Sequence, residues 1–108
     1  MAHLNGISEN QFRNLAKTAV TNFWNNSEKL TDKFGYVQPE DVYIVWQCKC
    51  IQNLKALLGV PFEGDGYYFE FTWNGDNLEG YLDVYRKKEH HNVYPPDWWR
   101  EKIDLTRK

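Results

Sequence analysis

The chain has 108 residues, of which 42% are hydrophobic and 17% aromatic, and its formal net charge is −2. This length corresponds to one domain with a single core, and the hydrophobic content excludes an intrinsically disordered chain. Five tryptophans, seven tyrosines and six phenylalanines place much of the burial energy in large rings. Each ring removes roughly 150–250 Å² from water when it is buried.

The charge is unevenly distributed along the chain. Residues 40–83 carry two bases and eight acids, a net charge of −6, whereas residues 84–108 carry seven bases and four acids, a net charge of +3. An acidic sheet repels phosphate, which disfavours general nucleic-acid binding through residues 40–83. No window approaches about 18 apolar residues, and a signal peptide is not evident. We therefore expect a cytoplasmic protein without a membrane span.

An amphipathic helix is predicted over residues 9–25. Ser8 followed by Gln11 fits a capping box at its start. Apolar residues then recur at three- and four-residue spacing, which is typical of a helix with one buried face. They are Phe12, Leu15, Ala16, Ala19, Val20 and Phe23. Residues 26–38 are polar and without a period, and they are predicted to be a loop.

Four antiparallel strands are predicted to follow. They cover residues 42–51, 55–60, 67–73 and 78–86. A helix over residues 52–58 stays an alternative to the second strand because Gln-Asn-Leu-Lys-Ala-Leu-Leu has good helix propensity. The Asn74-Gly75 pair between the last two strands is typical of a hairpin turn.

Apolar or aromatic side chains occupy both faces of these strands, although most small sheets bury one face only. The even positions of the first strand are wholly apolar and are predicted to face the core under the helix. They include Ile44, Trp46, Cys48 and Cys50. The opposite face gathers tyrosines around charged residues, and we expect that something covers or uses it. Its members are Tyr43, Lys49, Tyr68, Glu70, Tyr81, Asp83 and Tyr85.

The strand pattern fades beyond Arg86. Tyr94-Pro95-Pro96-Asp97 precedes a predicted short C-terminal helix, whose apolar residues are Trp98, Trp99, Ile103 and Leu105. The predicted fold class is therefore α+β, with an N-terminal amphipathic helix packed on a four-stranded antiparallel sheet and a short C-terminal helix. The whole chain, residues 1–108, forms a single domain.

Two stretches carry a family resemblance. The first reads DVYIVWQCK at residues 41–49, with QN at 52–53 and KALL at 55–58, and the second reads DGYYFE at 65–70, NGD at 74–76 and YLD at 81–83. Together they resemble a small domain-of-unknown-function family encoded by phages and prophages of low-GC Gram-positive bacteria. The resemblance covers residues 8–89, which leaves residues 90–108 as a C-terminal extension. It implies a viral, cytoplasmic accessory protein and supplies no activity or functional residues.

Cys48 and Cys50 are candidates for a metal site or a disulfide. Their side chains lie about 7 Å apart along one strand face, which is awkward for a mutual disulfide. Zinc would need two further ligands, and only His90 and His91 suggest themselves, without the usual spacing. We interpret the cysteines as small core residues under the helix and the histidines as a solvated strand end. No metal site and no cofactor are predicted.

Glu70 and Asp83 are the candidate catalytic pair. They are predicted to lie on adjacent strands of the outer face, where two carboxylates suit glycosidic chemistry or a divalent metal. With Lys49 nearby, the three side chains suggest a metal-dependent nuclease, but the carboxylate-x-Lys run of such enzymes is missing. We interpret Glu70 and Asp83 as carboxylates that form a charge pair with Lys49 on the outer face. No catalytic residue is predicted, and the chain is predicted not to be an enzyme.

The favoured function is protein binding. The resemblance adds the setting of a phage-encoded accessory protein that occludes a host or phage protein, for example a defence or replication component. Docking as a homodimer is one form of this hypothesis. The candidate anchors are aromatic, because such rings are enriched at interfaces. They are Tyr43, Tyr68, Tyr81, Tyr85, Trp98 and Trp99. Covering of the tyrosines by the chain's own Trp98-Trp99 segment is an equal alternative.

Nucleic-acid binding is the second hypothesis. The tyrosines could stack unpaired bases, but acidic residues frame them. The more favourable surface is the basic end of the chain, whose candidate contacts are Arg86, Lys87, Lys88, His90, Arg100 and Lys102. A steep salt dependence of binding would favour this hypothesis over protein docking.

Overall fold

A computed structural model describes residues 6–61 and 66–100, without the side chains of Trp99 and Arg100. The elements are α1 (Glu9–Asn25), α2 (Glu28–Phe34), a 3-10 turn (Pro39–Asp41), β1 (Tyr43–Cys50), β2 (Asn53–Gly59), β3 (Tyr67–Asn74), β4 (Glu79–Arg86) and the single turn α3 (Asp97–Arg100). The predicted α+β class, the N-terminal helix and the four-stranded antiparallel sheet are confirmed.

The predicted bounds and cap of α1 are confirmed. The Ser8 hydroxyl accepts a hydrogen bond from the Gln11 amide at 3.1 Å, and the Gln11 side chain accepts one from the Ser8 amide at 2.7 Å. These reciprocal bonds satisfy two of the amides that a helix start leaves unpaired. The buried apolar side chains recur every fourth residue and are Phe12, Ala16, Val20 and Trp24.

The predicted loop over residues 26–38 is wrong over residues 28–34, because α2 lies there. Ser27 caps this helix through a hydrogen bond from the Leu30 amide, and Leu30 is its one buried residue. A helix of seven residues is too short to show an apolar period. The cap residue was its only strong sequence signal.

The connection after α2 is held by the end of α1. The Trp24 indole donates to the Gly35 carbonyl at 2.9 Å. The Asn25 side chain accepts from the Val37 amide at 2.9 Å and donates to the Val37 carbonyl at 2.8 Å. Since Val37 is buried, these two bonds satisfy backbone groups that water does not reach.

The sheet has the order β1-β2-β3-β4, and every neighbouring pair is antiparallel. Residues 53–59 are therefore a strand, and the helical alternative for residues 52–58 is wrong. The face of the sheet under α1 is called the inner face. Its buried side chains are Leu54, Ala56, Leu58, Phe69, Phe71 and Trp73. Phe12 and Phe23 of α1 meet the Phe71 and Phe69 rings at centroid distances of 5.9 and 5.8 Å.

The first strand contains an irregularity that reverses its faces. Ile44 pairs with Leu58, but Trp46 pairs with Leu57, so Val45 is an extra residue opposite no partner. Directly paired residues lie on the same face of a sheet. Ile44 therefore stays on the inner face with Leu58, whereas Trp46 joins Leu57 on the other, here called the outer face.

The reversal makes the predicted core face of the first strand wrong beyond Ile44. Trp46 is 43% exposed, and Cys48 and Cys50 are exposed free thiols that pair with Lys55 and Asn53 on the outer face. The interpretation of the cysteines as core residues is wrong for this reason.

Gln47 and Lys49, which alternate with Trp46, Cys48 and Cys50 along β1, lie on the inner face instead. Gln47 pairs with Ala56 and donates to the Glu9 carboxylate of α1 at 3.4 Å. Lys49 pairs with Leu54, so the predicted charge pair of Lys49 with Glu70 is wrong. No alternation within the strand itself could show this, because a bulge shifts the period by one residue.

The chain beyond β4 lies at the surface. Every residue from 87 to 98 is exposed except the half-buried Pro95. The only helical structure described there is the four-residue turn α3, so the predicted short C-terminal helix is not confirmed among the described residues. Ile103 and Leu105, which that prediction included, lie outside the described residues.

Candidate functional site

The outer face of the sheet is the candidate site, because α1 covers only the inner face. Its side chains form rows that cross the strands. One row contains Trp46, Leu57, Glu70 and Asp83, and the next contains Cys48, Lys55, Thr72 and Tyr81. The surface is thus apolar at Trp46 and Leu57, cationic at Lys55 and acidic at Glu70 and Asp83.

Two tyrosines stack at one end of the face. Tyr68 and Tyr85 are directly paired across β3 and β4, and their rings lie 5.1 Å apart at an interplanar angle of 13°. Such cross-strand aromatic pairs stabilise a sheet. The stack nevertheless leaves Tyr85 41% exposed, so much of its ring is still available to a ligand.

Tyr43 completes this end of the face from the other edge of the sheet. It pairs with Gly59, and its ring lies over the glycine so closely that a Cβ there would meet the ring atoms. The glycine leaves room for the ring to lie flat across β2. Exposed aromatic side chains thereby stand on both edge strands of one surface.

Glu70 and Asp83 lie directly opposite each other, as predicted from their position around the hairpin. Like charges in this position destabilise a pair of strands. The Lys55 ammonium lies 3.6 Å from the Glu70 carboxylate and offsets part of the repulsion. Asp83 has no ion pair or hydrogen bond within residues 6–61 and 66–100.

These charges act on the Tyr85 hydroxyl. The Glu70 carboxylate raises the pKa of Tyr85 above its ordinary 10.0, partial desolvation and Asp83 raise it further, and Lys55 opposes them. The phenol ionises to an anion, so neighbouring carboxylates disfavour its ionised form. The same negative potential favours cations and repels phosphate at this end of the face.

The predicted anchors fall into two groups. The four tyrosines share the outer face, and the Tyr81 hydroxyl donates to the Glu79 carboxylate at 3.0 Å. Trp98 lies in the C-terminal segment and is 66% exposed, so it does not bury the tyrosines. The Trp99 side chain lies outside the described residues. Trp46 was missed as a member of the face because the bulge was not visible in the sequence, and no face was predicted for Leu57 of β2.

The predicted nucleic-acid contacts are described only in part. The Arg86 guanidinium lies 5.6 Å from the Tyr67 ring centroid, opposite a residue that packs against the core. Lys87, Lys88 and His90 are exposed. The Arg100 side chain and Lys102 lie outside the described residues.

Candidate metal-binding side chains are scattered in the part of the chain that the structure describes. No three His, Cys, Asp or Glu side chains there approach closely enough to hold a metal ion. A shallow groove of about 270 Å³ between α1 and the 3-10 turn is lined by Asn14, Lys17, Thr18, Pro39 and Glu40, without a histidine or paired carboxylates. None of the described helices has the length and apolar character needed to cross a membrane.

The fold and this face define a small α+β domain that buries one side of a four-stranded sheet and leaves an aromatic and acidic side open. The chain belongs to the Family of unknown function (DUF6275), whose model matches residues 13–95. The expected membership of a family of unknown function is thereby confirmed. No curated protein and no solved structure matches the chain.

Proposed function

We propose that this protein is a non-enzymatic binding protein that docks on another protein through the outer face of its sheet. The observation that carries the proposal is a set of exposed rings on one face that α1 leaves uncovered. They are Tyr43, Trp46, Tyr68, Tyr81 and Tyr85. Exposed apolar patches rimmed by polar groups mark interaction sites, and tyrosine and tryptophan are the most frequent anchors of binding energy.

The proposed biological setting is a phage-encoded accessory protein in the host cytoplasm. It would occlude a host or phage protein, for example a component of host defence or replication, and would form a homodimer. What supports this setting is the resemblance of residues 41–58 and 65–83 to proteins of phages and prophages. What supports occlusion is a face with exposed rings on both of its edge strands.

Charge supports a protein over a nucleic acid as the partner. The outer face presents Glu70, Glu79 and Asp83 against the single cation Lys55. Protein surfaces that bind nucleic acids are strongly basic, because most of the binding affinity comes from contacts to phosphate. The face instead suits a partner with apolar and cationic side chains.

The proposal is tested by capture of partners from phage-infected host cells, followed by affinity measurement with the identified protein. Wild type is compared with Tyr68→Ser/Tyr85→Ser, which removes the stacked rings, and with Tyr36→Ser. Tyr36 is a matched control because it is 72% exposed and lies between α2 and the 3-10 turn, off the sheet.

We expect the double variant to lose at least about tenfold in affinity, as for interface anchors, and the control to bind as wild type does. Equal binding by all three proteins would show that the outer face is not the docking surface. Tight binding of single- or double-stranded oligonucleotides that weakens steeply with salt would favour the nucleic-acid hypothesis instead.

A further inference from the structure

We propose that residues 87–98 of one copy of this chain dock on the outer face of a second copy, and that the exchange is reciprocal in a two-fold dimer. The inference rests on the proposed function, since it takes the outer face as a docking surface, and it names an occupant for that face. Residues 87–98 are called the C-terminal segment below.

The C-terminal segment has the properties of a docking peptide. It contains three apolar side chains that are mostly exposed: Val93, which is 89% exposed, and Tyr94 and Trp98. Pro95 and Pro96 favour an extended backbone that loses little entropy on binding. A solvent-exposed segment of this composition gains free energy wherever it finds an apolar surface.

The charge at the start of the segment is complementary to the face. The face presents Glu70, Glu79 and Asp83 against Lys55. The segment begins with Lys87 and Lys88, although Glu89 and Asp97 make it neutral overall. On the face itself Asp83 has no described cationic partner, while Lys87 and Lys88 are exposed on the segment. Docking would bring lysine ammonium groups to unpaired carboxylates and the Tyr94 and Trp98 rings to the tyrosine stack.

The way in which the segment leaves the sheet favours a second copy over the same chain. The Lys87 amide donates to the Gly66 carbonyl at 2.9 Å, which extends the pairing of β3 and β4 by one residue. Gly66 has a φ of 82°, and a Cβ on it would lie 2.8 Å from the Lys87 Cβ, so the two backbones are tightly packed. The segment is therefore directed along β4, past the Tyr85 end of the sheet.

A return to its own outer face would need a sharp reversal of the segment. No glycine follows Gly80 in the chain, and Pro95-Pro96 favours continuation in one direction. A second copy in antiparallel orientation can receive the segment without a reversal. Two-fold exchange also closes the assembly, because each copy supplies one segment and one face.

Sedimentation velocity of the full chain across the micromolar range tests the inference. We expect a dimer for wild type. Tyr94→Ala/Trp98→Ala in the segment and Tyr68→Ser/Tyr85→Ser in the face should each raise the dimer dissociation constant at least about tenfold, and Tyr36→Ser should not change it. All the substituted side chains are exposed, although Tyr68 and Tyr85 cover part of each other's rings. Far-ultraviolet circular dichroism checks that each variant is folded.

Mixing the two defective variants is the decisive step. The segment variant keeps an intact face, and the face variant keeps an intact segment, so an equimolar mixture should form a heterodimer through one segment–face contact. A mixture that stays monomeric would overturn the exchange. A segment variant that dimerises as tightly as wild type, beside a face variant that does not, would overturn it in favour of a seam between two faces. A wild type that is monomeric throughout the range would also overturn it.

Ionic strength supplies a readout that needs no variant. The wild-type dimer should weaken as salt is added, because exposed charge pairs are screened. A dimer that is insensitive to salt would contradict the charge pairing. If wild type is monomeric and still loses its captured partner in Tyr68→Ser/Tyr85→Ser, the exchange fails while the proposed function stands.

Discussion

Tyr43 lies over Gly59 so closely that a Cβ on the glycine would come within 2.6 Å of the tyrosine hydroxyl oxygen. Gly80 stands in the same relation to Phe71 on the opposite face, where a Cβ would come within 2.5 Å of the Phe71 ring. The two glycines differ in what would have to move. The Tyr43 ring is exposed and can swing into water, whereas the Phe71 ring is buried under α1.

Alanine at these two positions should therefore have unequal effects on the free energy of unfolding. We expect Gly80→Ala to destabilise the protein by about 1–3 kcal/mol, because it overpacks the core. Gly59→Ala should cost less than about 1 kcal/mol, since the lost ring contact is offset by a lower chain entropy in the unfolded state. Urea unfolding of both variants measures the difference. Equal destabilisation would contradict the free movement of Tyr43.

Asn25 should be important for stability although it is polar. Asn25→Ala removes both hydrogen bonds to Val37 and leaves a backbone donor and acceptor unpaired in a buried position, at a cost of about 1–3 kcal/mol. Asn22→Ala is the matched control, because Asn22 is an exposed asparagine of the same helix and should be neutral or slightly stabilising. Thermal unfolding of the two variants should separate them clearly, and similar midpoints would count against the role of Asn25.

The contacts of Asn25 with Val37 could not be predicted from the sequence, unlike the helix in which Asn25 lies. The capping box at Ser8 and the apolar period of α1 are local, so the sequence predicts that helix to its ends. The partner of Asn25 lies 12 residues away, beyond a short helix without a visible period, and depends on the tertiary path of the chain. The tyrosines of β3 and β4 were placed correctly because the hairpin fixes their register. Trp46 was placed on the wrong face, because the bulge in β1 is set by the pairing of β1 with β2.

The pKa of Tyr85 should respond to the carboxylates of the outer face. Glu70→Gln removes the largest cause of the raised pKa and should lower it toward 10.0, whereas Lys55→Met should raise it further. Glu79→Gln is the control, because Glu79 is a carboxylate of the same face that does not contribute to the shift. Ultraviolet titration of the phenolate, compared with a Tyr85→Phe protein, reads this pKa.

The sign of the linked stability change follows from the raised value. A folded-state pKa above the unfolded one means that the folded protein holds the Tyr85 proton more tightly, so this contribution is present below pH 10.0 and is lost as the pH rises through the folded-state pKa. Glu70→Gln should lessen that alkaline loss. A Tyr85 titration that is the same in wild type and Glu70→Gln would exclude Glu70 as the cause.

The bulge at Val45 should make β1 tolerate a deletion at that position better than a deletion elsewhere in the strand. Removing Val45 should leave a regular strand in which Trp46 still pairs with Leu57, so the faces beyond it stay as they are. Removing Gln47, in the regular part of β1, should instead send Cys48 and Cys50 to the inner face and destabilise the sheet.

The reactivity of the two thiols toward a coloured disulfide reagent distinguishes these outcomes. Both thiols should react without denaturant in wild type and in the Val45 deletion, because they are exposed. Protection of the thiols in the Val45 deletion would mean that β1 alternates without a bulge, and that Trp46 does not belong to the outer face.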